Sequence, residues 1–309
     1  MVNQEVILNE LKKAVVGKDE VLEMALIAFL ARGHILIEDI PGVGKTTMAL
    51  AMSKALGLVY RRIQFTPDVL PSDIVGFSLP DKATGEMIYK PGAIFCNLFL
   101  ADELNRATSR TQSALLEAME EGRVTVDGVT HPVPDPFIVI ATQNPAGSSG
   151  TQLLPESQLD RFMVRLSLGY PDPAYELDLL QRKQTGNPLD RIVRVADSEE
   201  LAAIRAEADK VYVDKKILDY VIRLSNASRN HPSLLHGASP RASIAVISMA
   251  KARAWVRGRD YVLPEDVKAI YPATITHRYL LTAEAKASGT SAAAVLDKIL
   301  SSTPSPAVR

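Results

Sequence analysis

The sequence predicts an α/β domain built on a doubly wound parallel sheet, followed by a smaller all-helical domain. Three observations carry that expectation. Through about residue 171, short apolar runs alternate with helical patterns; the segment Gly169-Tyr170-Pro171-Asp172-Pro173 then punctuates the chain; strand-like runs nearly vanish beyond it. Repeated β-then-α order is the signature of a parallel sheet with helices on both faces. At 309 residues the chain is about twice the ~150 residues of an average domain, which agrees with two.

The elements follow in order. A helical pattern over Asp19–Ala31 precedes the first strand, His34–Ile37, and a second covers Lys45–Leu56. Val59–Phe65 is a weaker strand with partial alternation. Leu98–Ala101 and Phe137–Ala141 are apolar runs flanked by turn or polar residues, which suits strands buried on both faces. A helix over Ala107–Glu121 lies between them, and Met163–Leu168 is a last weak strand. Two hairpins interrupt this order. One spans Gly76 to Ala93, with turn chemistry at Asp81-Lys82-Ala83-Thr84-Gly85; the other spans Arg123 to His131, where Asp127-Gly128 separates β-branched runs. Beyond the punctuation the helical stretches are Tyr175–Gln184, Ser198–Val211, Lys215–Arg229, Pro240–Arg257 and Pro264–Ile270. The expected domains are therefore 1–171 and 172–309, with a Ser/Pro-rich tail from Ser301 that should fray.

Composition excludes several classes. Hydrophobic residues at 47% and charged residues at 23% fit a globular protein, and the net charge of −1 argues against a chain-wide polyanion binder. Residues 1–172 carry 15 Lys+Arg against 21 Asp+Glu, whereas 173–309 carry 20 against 15, so the total conceals domains of opposite sign. Acidic and basic surfaces of that kind suit contact between neighbouring subunits or are unrelated solvated faces. The single cysteine, Cys96, permits neither an intrachain disulfide nor a cysteine-rich metal cluster, and the five scattered histidines read as loop or surface residues. The acidic start is unlike a signal peptide, and the apolar stretch Val21–Ala31 is too short to span a bilayer and contains Glu23. A cytoplasmic protein without membrane insertion is expected.

The most informative segment is Glu38-Asp39-Ile40-Pro41-Gly42-Val43-Gly44-Lys45-Thr46-Thr47, which follows an apolar strand and opens a helix, the context of a phosphate-binding P-loop. Gly42 and Gly44 let successive N–H groups turn inward, and the helix adds its positive end. Pro41 and Val43 complete the cradle, Thr47 continues it, Lys45 reaches the β- and γ-phosphates, and Thr46 is placed to ligate Mg²⁺. The strict P-loop pattern has glycine where this chain has Asp39; the cradle should survive, because Gly42 and Gly44 occupy its tightest part. Leu98-Phe99-Leu100-Ala101-Asp102-Glu103 is an apolar strand ending in two carboxylates, where open α/β sheets collect ligands. Asp102 suits a direct or outer-shell contact with Mg²⁺, and Glu103 suits activation of an attacking water. Asn144, after the strand ending Ala141-Thr142-Gln143, can orient that water if its strand lies beside the Asp-Glu strand.

Together these motifs resemble the MoxR family of AAA+ ATPases. The resemblance also rests on Val15-Val16-Gly17-Lys18, Gln64-Phe65-Thr66-Pro67-Asp68-Val69-Leu70-Pro71-Ser72-Asp73-Ile74, Asp102 to Ala107, Ala141 to Pro145, Leu159-Asp160-Arg161-Phe162 and Gly237-Ala238-Ser239-Pro240-Arg241-Ala242, in order from about residue 5 to about 280. It implies an ATP/ADP site with Mg²⁺, a helical lid, and an adenine pocket lined by Val15 to Lys18, Val16 and Gly17 among them, chiefly through backbone. Asp102 and Glu103 take the Walker B positions and Asn144 that of sensor 1. Arg161 matches the arginine finger that acts on a neighbour's ATP, and Arg241 matches the sensor 2 arginine, in cis or in trans. Arg106 and Arg110, on the helix after Asp102-Glu103, are further candidates to face a subunit interface. The Gly76–Ala93 hairpin resembles the family's insert after the second strand, and Arg123–His131 the hairpin before sensor 1.

The family resemblance further implies a homo-oligomeric, hexameric ring that remodels or matures partner proteins, often ones with von Willebrand factor A domains. Two alternatives stand beside it, a nucleic-acid-tracking motor and a magnesium-chelatase-type subunit. Tracking nucleic acid calls for basic hairpin tips. Here Arg123–His131 has one Arg, one Asp and one His, while Gly76–Ala93 sets Lys82 and Lys90 against Asp81 and Glu86. No nucleic-acid partner is therefore expected.

Overall fold

A computed structural model describes residues 4–144 and 154–307. Two helices, α1 (Gln4–Lys12) and α2 (Asp19–Leu30), precede strand β1 (Ile35–Glu38), helix α3 (Lys45–Ala55), strand β2 (Tyr60–Gln64) and the short α4 (Pro71–Val75). Strands β3 (Gly76–Pro80) and β4 (Met87–Pro91) form the first hairpin, and β5 (Leu98–Asp102) is followed by a 3₁₀ turn at Leu104–Arg106 and helix α5 (Ser109–Glu121). The second hairpin pairs β6 (Arg123–Val126) with β7 (Val129–Pro132), and β8 (Ile138–Gln143) ends the first run of elements. Then come α6 (Glu156–Leu159), β9 (Val164–Leu166), α7 (Pro173–Gln184), α8 (Ser198–Lys210), α9 (Lys215–Arg229), β10 (Leu234–His236), α10 (Pro240–Val256), α11 (Pro264–Ile275), β11 (Leu280–Leu281), α12 (Ala283–Ala287) and α13 (Ala292–Ser302).

The chain forms two compact units that interleave in sequence: residues 1–23, 34–154 and 167–201 make the first, and 24–33, 155–166 and 202–309 the second. The expectation of a single cut after residue 171 differs from this division, because the chain enters the second unit three times.

In the first unit four parallel strands lie in the order β2-β5-β8-β1. Their sequences explain their places. β5 and β8 are buried along their whole lengths, as their continuous apolar runs require, while no residue of β2 is fully buried. Each fully buried Leu or Phe of β5 contributes roughly 1.5–3 kcal/mol relative to exposure. The register sets Gln64 beside Asp102 and Glu38 beside Gln143, so all four strands present polar residues at one edge. That edge is where open parallel sheets bind ligands.

Both expected hairpins form. In the second, Asp127 and Gly128 both have positive φ (50° and 80°), as a tight two-residue turn demands. In the first, the Asp81 carboxylate accepts from the N–H groups of Ala83 (2.7 Å) and Thr84 (3.1 Å), which holds its pKa below the ordinary value. The rings of Tyr89 and His131 stack at 3.8 Å and join the two hairpins.

Some boundaries move. The helix expected from Ala107 begins at Ser109, because Thr108 takes an extended conformation and its hydroxyl accepts from the Thr111 N–H at 3.3 Å. In the second unit, α11 runs through Pro272 to Ile275 instead of stopping at Ile270; the Thr274 hydroxyl bonds the Ile270 carbonyl at 2.8 Å. The core there comes from α9, α10, α11 and α13, with Tyr220, Leu224, Val246, Met249, Ile270, Tyr271 and Leu296 buried. Asp266 is fully buried, caps α11 through the Leu263 N–H and receives Arg253 and Arg259. His277 is also buried, contrary to the surface placement expected for histidines, and burial pushes its pKa well below the ordinary value. The tail is more ordered than its composition suggests: Ser301 and Ser302 close α13, Thr303 is buried, and Arg223 donates to the Pro304 carbonyl at 2.9 Å.

Candidate nucleotide-binding site

The turn between β1 and α3 is the P-loop segment. Gly42 and Gly44 have φ of 86° and 99°, a region that favours glycine, and a Cβ at either would meet nothing within 4 Å. Gly44 occupies the N-cap of α3 and offers no side chain to the first-turn N–H groups, so the helix start is open to an anion. Lys45 is buried, and its ammonium donates to the Asp39 carbonyl at 2.6 Å. Burial lowers its pKa, and the carboxylates of Asp39, Asp102 and Glu103 oppose that shift.

Asp39 replaces the first P-loop glycine with a structural brace. Its carboxylate accepts from the N–H groups of Leu168 (2.6 Å), Gly169 (2.8 Å) and Ile40 (3.0 Å) and from the Ser167 hydroxyl (3.1 Å). It ties the strand-end turn to the segment that leads into α7, while its backbone carbonyl holds Lys45.

The end of β5 supplies the carboxylates. Asp102 accepts from Arg62 at 2.6 Å on one oxygen and from the Thr142 hydroxyl at 2.6 Å on the other. Glu103 has φ 57° and ψ 45°, a left-handed conformation uncommon outside glycine, and its N–H donates to the Thr142 hydroxyl at 2.8 Å. Its carboxylate accepts from Arg106 at 2.8 Å and from the Asn144 side-chain amide at 3.2 Å. The Arg106 hydrogen bond is the largest influence on Glu103 and, with those of Asn144 and Gln64, holds its pKa below the ordinary value against desolvation. Thr142 therefore links the Asp102 carboxylate to the Glu103 backbone N–H, and Asn144 reaches the Glu103 carboxylate because β8 lies beside β5.

Next to the P-loop lies a cavity of about 210 Å³, lined by Val15, Val16 and Lys18, by Gly42, Val43, Gly44 and Thr47, and by Tyr175, Leu179 and Pro188. Its size suits part of a ligand, not a whole nucleotide. Gly17 is required here: its φ is 69°, and a Cβ would fall 2.3 Å from the Tyr175 ring.

The structure thus gathers Val16, Gly17, Pro41 to Thr47, Asp102, Glu103 and Asn144 in the first unit. Arg161 and Arg241 belong to the second. Arg161 is partly exposed just after α6, and Arg241 is exposed in the first turn of α10, whose N-cap Ser239 accepts from the Ala242 N–H at 3.0 Å. Arg106, expected as a candidate to face a subunit interface, pairs with Glu103 at 2.8 Å while its side chain remains 38% exposed. Sequence reasoning missed Arg62, Gln64 and Thr142, which only the strand register reveals, and Tyr175, Leu179 and Pro188, which come from beyond the expected domain boundary. Among the described residues no cluster of three or more His, Cys, Asp or Glu side chains could hold a metal. Both Asp102 oxygens already have partners, which suits an outer-shell role toward a phosphate-bound cation better than direct ligation.

Residues 34–164 match the model of the ATPase family associated with various cellular activities (AAA), and residues 226–299 match the AAA lid domain. The chain is 46% identical to YeaC of Bacillus subtilis (strain 168) over 299 residues, covering 97% of this chain and 93% of that protein. It is 38% identical to Chaperone MoxR1 of Mycobacterium tuberculosis over 308 residues, covering 97% of this chain and 81% of that protein. The crystal structure of a proposed ATPase from Cytophaga hutchinsonii superposes with a TM-score of 0.91 at 38% identity, covering 98% of this chain and 94% of that one.

Proposed function

The chain belongs to the MoxR family of AAA+ ATPases, and we propose that it binds and hydrolyses ATP and couples that reaction to remodelling or maturing partner proteins. One observation carries this reading: Lys45, Asp102, Glu103 and Asn144 converge at one sheet edge behind a glycine turn whose helix start has no cap.

The N–H groups of Gly42 to Thr46 receive the phosphates, and Lys45 exchanges its bond to the Asp39 carbonyl for phosphate oxygens. Val16, Gly17 and Tyr175 flank the base. Glu103 takes a proton from the water that attacks the γ-phosphorus, Asn144 orients that water, and the bond from the γ-phosphorus to the bridging oxygen breaks to leave ADP and phosphate. Thr46, with Asp102 in the outer shell, would hold Mg²⁺, which neutralises developing charge on the phosphates. Arg161 acts at a nucleotide held by a neighbouring copy, and Arg241 at that nucleotide or at the one held by its own subunit, so the working form is a ring, hexameric by family resemblance. An arginine supplied in this way is worth roughly 10³–10⁵ in rate.

The name of MoxR1 as a chaperone supports protein clients, among which proteins with von Willebrand factor A domains are the first to try. The near-neutral hairpins favour this over a nucleic-acid motor. No helix among the described residues is long and apolar enough to cross a membrane, and we place the protein in the cytoplasm. Glu103→Gln should trap the ATP-loaded ring, so in saturating ATP it should sediment as a ring and retain a client in an ATP-dependent way. Monomeric behaviour in ATP would overturn the ring, and salt-sensitive stimulation of hydrolysis by DNA would favour the motor.

A further inference from the structure

The segment that carries Arg161 lacks a ladder of its own. After α6 the backbone turns through Asp160, Arg161 and Phe162 before β9 begins. What holds it is Arg278, in the 3₁₀ turn Thr276–Arg278. One guanidinium nitrogen of Arg278 donates to the Phe162 carbonyl at 2.8 Å and to the Asp160 carbonyl at 3.3 Å, the residues on either side of Arg161. Its Nε lies 3.2 Å from the Asp160 carboxylate, and its side chain is only 3% exposed. The neighbouring His277 donates from Nε2 to the same Phe162 carbonyl at 3.1 Å, while Phe162 itself is fully buried. Asp160 is held again from the other side, because the Ser239 hydroxyl donates to its carboxylate at 3.2 Å, two residues before Arg241.

A guanidinium buried this deeply is costly, and an apolar side chain would fill the same space without that cost. Burial lowers its pKa to about 10, opposed by Asp160 and reinforced by Arg241. One of its terminal nitrogens finds no partner among the described residues. What the arginine supplies is geometric: one nitrogen bridges the two carbonyls while Nε sits beside the Asp160 carboxylate, all in one fixed plane around the turn that carries Arg161.

We propose that Arg278 is a positioning residue for Arg161, clamping the Asp160 and Phe162 carbonyls so that Arg161 is presented in one fixed direction to the neighbouring subunit's nucleotide. This rests on the reading of Arg161 as an arginine finger acting in trans. An effect in trans separates the clamp from a general loss of structure, since a distorted finger harms the neighbour's site and leaves the subunit's own P-loop intact.

The test uses full-length R278M, R278K, R161A and E103Q, with ATP hydrolysis and ADP affinity measured for each. R278M should lower kcat roughly 10–100-fold, the scale of an ångström-sized misplacement, with KM and ADP affinity unchanged. R278K, whose single ammonium can reach the carbonyls but cannot also keep the Nε contact with the Asp160 carboxylate, should fall between it and the wild type. Equimolar mixing with E103Q, which brings an intact Arg161 but no hydrolysis of its own, should restore R278M activity well above the sum of the separate proteins, as it restores R161A. Wild-type kcat in R278M, or restoration of R161A without restoration of R278M, overturns the clamp and leaves the finger standing. Failure to restore R161A overturns the finger, and the clamp with it. If R278M does not fold, D160N decides: it keeps the carbonyl contacts but loses the ion pair, and a smaller loss restored by E103Q supports the proposal, whereas a loss that E103Q cannot restore overturns it.

Discussion

The two ends of the candidate nucleotide site are built in opposite ways. The phosphate end comes from contiguous motifs and backbone: a glycine turn, an uncapped helix, and carboxylates at the tips of adjacent strands. The end proposed to hold the base is a cavity lined by three distant stretches, around Val15, Thr47 and Tyr175. On the proposed function, charge and fixed donors do the chemistry at one end, and shape and apolar contact provide grip at the other. Substitutions at the phosphate end should therefore act on turnover and those at the base end on affinity.

Lys45→Met should produce the largest effect, lowering turnover by roughly 10³-fold or more by removing the charge on the transferring phosphates. Phosphate release measures it, and a loss of less than tenfold would show that Lys45 does not face the phosphates. Gly17→Ala should act at the other end, driving a Cβ into the Tyr175 ring at 2.3 Å. About tenfold weaker nucleotide binding, equivalent to about 1.4 kcal/mol, is expected with kcat little changed, and titration with a fluorescent nucleotide reads it. A fall in kcat at unchanged affinity would erase the distinction between the two ends.

Legibility follows the same division. The P-loop, Asp102-Glu103 and Asn144 could be read because their residues are neighbours in sequence and their chemistry depends on spacing. The pairing of Asn144 with Glu103 needed only the inference that β8 lies beside β5. Tyr175, Leu179 and Pro188 could not be read, since nothing local distinguishes an apolar residue that lines a cavity from one that fills a core. Gln64 and Thr142 depend on parallel register, which sets Gln64 level with Asp102 but leaves no mark in either strand's own pattern. Asp39 looked like a defect in the motif; its role appears only when Leu168 and Gly169 come within hydrogen-bonding distance. The helical α13, near a tail expected to fray, was hidden by the Ser/Pro composition that follows it.

Two smaller effects sharpen the account of the phosphate end. Asp39→Ala leaves the Leu168 and Gly169 amides without their acceptor and should destabilise the first unit by about 2–3 kcal/mol, read as a lower midpoint in chemical denaturation. An unchanged midpoint would mean that the brace contributes nothing. Arg106→Ala removes the largest influence holding the Glu103 pKa down. A depressed carboxylate stays ionised as pH falls to below its ordinary range, and the stability it contributes is present above the unfolded pKa and lost as pH drops through the folded one. Without Arg106 the Glu103 pKa rises, so the acid limb of the kcat/KM profile should move to higher pH. An unmoved acid limb would show that Arg106 does not hold Glu103 in the free enzyme.

On the proposed function, the carboxylates at the phosphate end perform hydrolysis while binding is secured elsewhere. Phosphate release by the wild type and by Glu103→Gln, at saturating ATP and Mg²⁺ with nucleotide binding followed on the same samples, tests it most directly. The account expects equal binding and a turnover roughly 10²–10⁴-fold lower in the variant. Equal binding with equal and negligible turnover in both proteins would contradict it and identify a nucleotide-dependent scaffold.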